Sequence, residues 1–297
     1  MTHISVLLNE SIDGLDIKSG DVIIDGTLGG GGHTMEIIKR FGKKVKIICF
    51  DLDKDAISRS KQIIKDTVSD VIYKETGFQD IDKELDDLGI EKVNKILLDL
   101  GLSSFQLEEA GRGFTFSKNE PLLMTMKKNP SEDDLTAYEI VNNWEEETLA
   151  NIIYGFGEER FSRRIAKAIV EARAEKKIEK TFDLVEIVEK AVGKFYKGKK
   201  IHPATRTFQA LRIATNSELT NLEEVIQKGF ERLEDGGRIA IISFHSLEDR
   251  IVKKAFRDLK EKGSAHLITK KPIIPSESEI KSNPRSRSAK LRLIEKI

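Results

Sequence analysis

Three short apolar runs constrain the fold more than any other feature: DVIIDGT at 21–27, KIICFD at 46–51 and KILLDLG at 95–101. Each has the length of a strand and is apolar almost throughout rather than on alternate residues, the pattern of a strand buried on both faces. Between the first two lies GHTMEIIKRFG, whose apolar residues recur at helical spacing. Such strands, separated by helices, call for a parallel sheet covered on both sides, so the fold class is α/β and doubly wound. A chain of 297 residues, 39% of them hydrophobic, can bury one large core, or one core and a smaller module.

After Gly101 the pattern changes. From about 106 to 212 the chain is helix-rich, in TAYEIVNNWEEETLANIIYGFG, RFSRRIAKAIVEARAEK and TFDLVEIVEKAVGKF, with no strand signal. Strand and helix patterns resume with GGRIAIISF at 236–244, SLEDRIVKKAFRDLKEK, HLITKKPI and AKLRLIEKI. The predicted organisation is an α/β domain built from 1–106 and 213–297 and interrupted by a helical insertion at 107–212. The last two runs form a terminal strand pair, and PSESEIKSNPRSRS at 275–288 reads as a loop.

Fifty basic and fifty acidic residues give a formal net charge of zero, so global charge points to no partner; local charge does. Residues 194–212 hold six Lys and Arg and no acid, and 250–297 hold 14 basic residues against five acidic. Residues 129–157 reverse the sign, with seven acids and no Lys or Arg. Such polarity suits a phosphate backbone steered to one side, although solvated helix faces produce it too. The single cysteine, Cys49, lies inside an apolar run and excludes a disulfide framework, which points to a reducing, cytoplasmic setting. No run approaches the ~18 apolar residues of a membrane span, and the start MTHISVLLNESIDGL lacks the pattern of an export signal.

The first strand runs straight into IDGTLGGGGHT, with glycines at 29–32. A strand that turns through glycine into a helix sets bare amides and a helix N-terminus at the carboxyl edge of the sheet, where ligands of such folds bind. A phosphate-binding P-loop would end in Gly-Lys-Ser/Thr, but His33 follows Gly32. The dinucleotide spacing G-x-G-x-x-G fails from Gly26 and from Gly29, which weakens a nicotinamide enzyme. S-adenosylmethionine asks for a tight glycine turn and for an acid at the end of the next strand; Asp51 closes KIICFD at that place. The plain alternative is a structural turn with Asp51 capping a helix. Asp99, in LLDLGLSS, stands at the carboxyl edge of the third apolar run, as a candidate to accept hydrogens from a base amine, to bind cofactor, or only to cap a loop.

His33 opens a helix that it can simply cap, and His245 follows a strand end, where a backbone hydrogen bond is the ordinary fate; neither has metal-ligand neighbours at short spacing, so no metal is expected. HPATRTFQALR at 202–212 combines Arg206 and Phe208, suited to phosphate contact and base stacking, or equally to a helix start with Phe208 in a core.

Nine stretches, in order, carry a resemblance that covers nearly the whole chain: HISVLLNE, IDGTLGGGGH, LLDLGLSSFQL, GRGFTF, GEERFSRRIAKAIVEAR, HPATRTFQALRI, NSEL, GGRIAIISFHSLEDRIVK and NPRSRSAKLR. Together they resemble the ribosomal RNA small subunit methyltransferase H family, also called MraW. The resemblance implies a class I (Rossmann-like) S-adenosylmethionine-dependent methyltransferase domain with a helical insertion that recognises substrate. It also implies methylation of the exocyclic 4-amino group of a cytidine in the decoding region of 16S rRNA, within the small ribosomal subunit, with no DNA or membrane partner. By motif, it assigns cofactor contacts to Gly31, Gly32, His33, Asp51, Phe78, Asp99 and Gln106, with Asp99 also the catalytic candidate and Asp25 in support. Arg206, Phe208 and His245 are the substrate candidates. One stretch departs from the family. PLLMTMK places Leu123, Thr125 and Lys127 where an acid, an arginine and an acid are usual, which opens an alternative reading as a weakened enzyme retained as a small-subunit assembly factor.

Overall fold

The computed structural model describes residues 4–64, 70–198 and 201–297, so His3, Lys199 and Lys200 of the stretches above lie outside the described residues. The chain forms two compact units, one from 1–101 and 219–297 and the other from 102–218. In chain order the first unit contains α1 (Leu8–Leu15), β1 (Val22–Asp25), α2 (Gly32–Phe41), β2 (Lys46–Phe50), α3 (Lys54–Ile64), β3 (Asp70–Lys74), α4 (Ile81–Asp87) and β4 (Val93–Asp99). The second contains α5 (Ser104–Glu108), α6 (Ala137–Asn143), α7 (Glu146–Gly155), α8 (Ser162–Glu175), α9 (Thr181–Val192) and α10 (Thr205–Asn216). The chain then returns to the first unit through α11 (Glu218–Glu231), β5 (Leu233–Ser243), α12 (Ser246–Glu261), β6 (Ala265–Leu267), α13 (Glu277–Ser282) and β7 (Lys290–Lys296).

All seven strands form one sheet in the order β3-β2-β1-β4-β5-β7-β6. The first five pair in parallel, while β7 runs antiparallel to both β5 and β6. This is the class I Rossmann-like arrangement, with the strand order reversing about β1 and β4. The strand at Asp70–Lys74 corrects the sequence reading in one respect: Asp99 ends the fourth strand, not the third. The alternation of side chains explains why β1, β2 and β4 are apolar throughout. Ile23, Ile47, Cys49 and Leu97 enter one buried cluster, and Ile24, Ile48, Ile96 and Leu98 enter a second. Successive residues of a strand point to opposite faces, and here both faces are packed with helices.

The second unit has its own core, in which Ile140, Leu149, Ile153, Ile165, Ile169, Leu184 and Val188 line the inner faces of α6 to α9. Its stretch PLLMTMK is not a loose loop. Leu122 pairs with Glu179 through the backbone, and the Asn216 side chain donates to the Met124 carbonyl and accepts from the Met126 amide, at 2.7 and 2.8 Å. Arg112 Nη1 donates to the Met126 carbonyl at 2.6 Å.

Candidate active site

Every parallel strand delivers its last residue to the same edge, and β1 lies between β2 and β4. That order brings the strand-ending acids Asp25 and Asp99, and Asp51 one residue beyond β2, to the edge where β1 turns into α2. Gly29 and Gly31 take φ of +49° and +74°, the left-handed region that suits glycine, and Gly31 caps α2. Gly32 is glycine for a different reason: an added Cβ would sit 1.9 Å from Ser5 Oγ, so part of the run answers to packing rather than to a ligand.

Asp51 is tied to the turn. Its Oδ2 accepts from the Gly29 amide and its Oδ1 from the Asp53 amide, both at 2.8 Å. Burial nonetheless pushes its carboxyl up to about 6, the two amide bonds opposing the shift. Asp25 is wholly inside. Thr34 donates its hydroxyl to Asp25 Oδ2 at 2.6 Å and the Thr27 amide reaches Oδ1 at 3.2 Å, while burial raises its pKa. The Thr27 hydroxyl in turn accepts from the Asp99 amide at 2.6 Å and fixes the end of β4. Thr27 and Thr34 were not singled out by the sequence, although both lie inside IDGTLGGGGHT, and a hydroxyl two residues after a strand-ending acid is the signal that would have marked Thr27.

Asp99 is the polar centre of this edge. Burial, then the charges of Asp25 and Glu248, hold its carboxyl well above the ordinary range. Its Oδ1 is buried with no hydrogen-bond partner, and its Oδ2 lies 3.7 Å from His33 Nδ1. His33 itself is 5% exposed on the first turn of α2. Phe78 starts the turn after β3, with its Cβ beside Gly26. Gly31, Gly32, His33, Asp51, Phe78 and Asp99 are therefore brought to the carboxyl edge of one unit.

Of the remaining candidates, His245 stands at this same edge, two residues beyond the end of β5, while Gln106, Arg206 and Phe208 belong to the helical unit. Gln106 belongs to the helical unit, where its Oε1 accepts from the Ser103 amide and Ser103 Oγ accepts from the Gln106 amide, closing a capping box on α5. His245 caps α12, accepting at Nδ1 from the Glu248 amide. Arg206 donates to the Glu158 carbonyl at 2.7 Å. Phe208 corrects the stacking reading: it is 4% exposed, edge-on to Phe116 in the core of the helical unit, and offers no face to a base. Thr125 is likewise buried at 5%, and Lys127 pairs with Asp134 at 2.5 Å. Of the C-terminal cations, Lys290 and Arg292 are engaged by Asp249, and Lys296 donates to two backbone carbonyls, so part of that positive charge is internal. Among the described residues no helix is long and apolar enough to cross a membrane.

An unpartnered carboxyl oxygen beside a glycine turn, with a second strand-end acid one strand away, forms a cradle for a polar ligand that carries hydroxyls and a positive centre. Known proteins point the same way. A ribosomal RNA small subunit methyltransferase H of Clostridium botulinum (strain Kyoto) is 48% identical over 310 residues, covering 99% of this chain and 99% of its own. The protein of the same name from Clostridioides difficile (strain 630) is 45% identical over equal shares. Among solved structures, an rRNA methylase from Streptococcus thermophilus aligns over 100% of this chain and 99% of its own, with a TM-score of 0.47 and 13% identity; the fold assignment rests on the strand order instead. The model of the MraW methylase family matches residues 1–297, and the chain belongs to that family.

Proposed function

We propose that this protein methylates the exocyclic 4-amino group of a cytidine in the decoding region of 16S rRNA, using S-adenosylmethionine, with the small ribosomal subunit in the cytoplasm as its substrate. Family membership supports methyl transfer to ribosomal RNA. The observation that carries the site assignment is the buried Asp99 Oδ1, which lacks a partner at the edge held by Asp25, Thr27 and the glycine turn.

The residues fit the cofactor. Asp51 suits the ribose hydroxyls, Phe78 the adenine, and the turn through Gly31, Gly32 and His33 the amino-acid moiety. When bound, S-adenosylmethionine supplies an electrophilic methyl on a sulfonium. The protein's task is then alignment and the handling of one proton. The lone pair of a cytosine amine is delocalised into the ring, and Asp99 localises it by accepting an amine hydrogen at Oδ1. Its raised pKa makes the ionised form basic enough to take the proton that the amine gives up once the new N–C bond forms. Thr27 holds the Asp99 backbone so that Oδ1 does not swing away. A base edge has to leave its stack to reach such a pocket. Arg206 and the basic residues of 194–212, in the helical unit, serve to hold the RNA.

The test is transfer of radiolabelled methyl from S-adenosylmethionine to small subunits that lack the modification, with nucleoside analysis and an Asp99→Ala control. Label in 4-methylcytidine that disappears in the control supports the reading. Bound cofactor without transfer rejects it and favours the assembly-factor alternative, for which PLLMTMK is the specific observation. In that event Leu123→Asp with Thr125→Arg restores activity if the missing charges are the cause.

A further inference from the structure

The helical unit carries a cationic aromatic column that joins Lys194 of the basic segment to arginines of α8, which no role above uses. Phe161, at the N-cap of α8, stacks on Phe195, in the turn after α9, with ring centroids 4.5 Å apart and planes 20° from parallel. Both rings are half-buried, and three cations cover them. The Arg160 guanidinium lies 4.6 Å from the Phe161 centroid; Arg164 and Lys194 Nζ lie 5.5 and 5.1 Å from that of Phe195. Arg163 and Lys197 are exposed on the same two segments. Among the described residues none of these five has a carboxylate partner.

The local charges work against folding. The first turn of α8 holds no acid, and Arg163 and Arg164 sit where the helix dipole disfavours positive charge. Two acids, Glu158 and Glu159, directly precede the cluster. Glu159 is buried, accepting from the Phe161 amide at 2.8 Å and from the Tyr196 hydroxyl, so it ties together the two segments that carry the rings. Glu158 is exposed, and Lys167 farther along α8 pairs with Glu171. A cluster that repels itself and opposes a dipole is explained by a polyanion that neutralises it. Guanidinium groups held over rings lose less freedom on binding, and their paired donors suit phosphates and bases.

We propose that Arg160, Arg164 and Lys194, ordered on the Phe161–Phe195 stack, form a docking surface for single-stranded RNA, contacting its phosphates and an unstacked base. This rests on the reading of the protein as an rRNA methyltransferase and adds a contact surface within the helical unit. The experiment measures anisotropy of a fluorescein-labelled single-stranded RNA of about a dozen nucleotides. It compares the full chain with an Arg160→Gln/Arg164→Gln variant across a salt series. Loss of two phosphate contacts predicts affinity weakened roughly tenfold or more at low salt, and a log–log salt slope shallower by about 1.4. Unchanged affinity and slope overturn the proposal. So does equal loss of binding to a polyglutamate probe, which assigns the surface to an acidic protein instead. Calorimetric titration with S-adenosylmethionine separates the two readings: a wild-type chain that fails to bind cofactor sinks the enzymatic one, while the RNA slopes judge the docking surface.

Discussion

At the scale of single residues the site stores a conflict that pH exposes. Asp51 has its pKa pushed to about 6 by burial, above its value of 3.8 in an unfolded chain. Between those values the folded state holds a proton that the unfolded state has lost, so this group's contribution to stability declines as pH rises through that window and is lowest above about 6. A shift of roughly two units corresponds to about 3 kcal/mol at most. Urea midpoints across pH 4 to 7 should therefore fall less steeply in Asp51→Asn than in the wild type; parallel profiles would refute the assignment. Cofactor binding has the opposite slope, because ribose hydroxyls need the ionised acceptor. Affinity for S-adenosylmethionine should rise about tenfold per pH unit below 6 and level off above it, as read by calorimetry. Asp99→Asn keeps the shape but loses the proton acceptor, and methyl transfer at saturating cofactor should drop by about 10²-fold or more.

At the scale of elements, the glycine turn and the PLLMTMK stretch of the helical unit make separate predictions. Gly32→Ala drives a methyl into Ser5 Oγ and should weaken cofactor binding, and Ser5→Gly in the same chain should restore much of it, because the clash lies with that hydroxyl. Failure of the second change to rescue would place the defect in the turn itself. Asn216→Ala leaves the Met126 amide without its acceptor, a loss of about 1–3 kcal/mol measurable as a lower denaturation midpoint. These elements also show how far sequence carries. The strands β1, β2, β4 and β5 were legible because burial on two faces writes a continuous apolar run, and the acids at the edge were legible because they end those runs. The strand β3 was not: it is a half-buried sheet edge whose DVIYK mixes polar and apolar residues. Thr27 and Thr34 were hidden because a hydroxyl's partner is chosen by tertiary contact. Phe208 was ambiguous because an aromatic between basic residues reads alike for a core and for a stacking platform.

At the scale of the whole molecule, zero net charge conceals the expected behaviour. Binding to the small subunit should still weaken steeply between about 50 and 200 mM salt, because phosphate contacts release counterions whatever the overall balance. Affinity that stays flat over that range would argue against an RNA substrate. The order of the chain has its own consequence. The sheet begins with β3, β2, β1 and β4, and the next strand, β5, is separated from β4 in the chain by the whole of 102–218. Until 102–218 has been made, the edge of β4 that β5 covers has no partner from this chain. An exposed apolar strand edge is a template for pairing with another chain. A chain truncated before β5 should therefore aggregate through β4, and pairing with β5 removes that hazard.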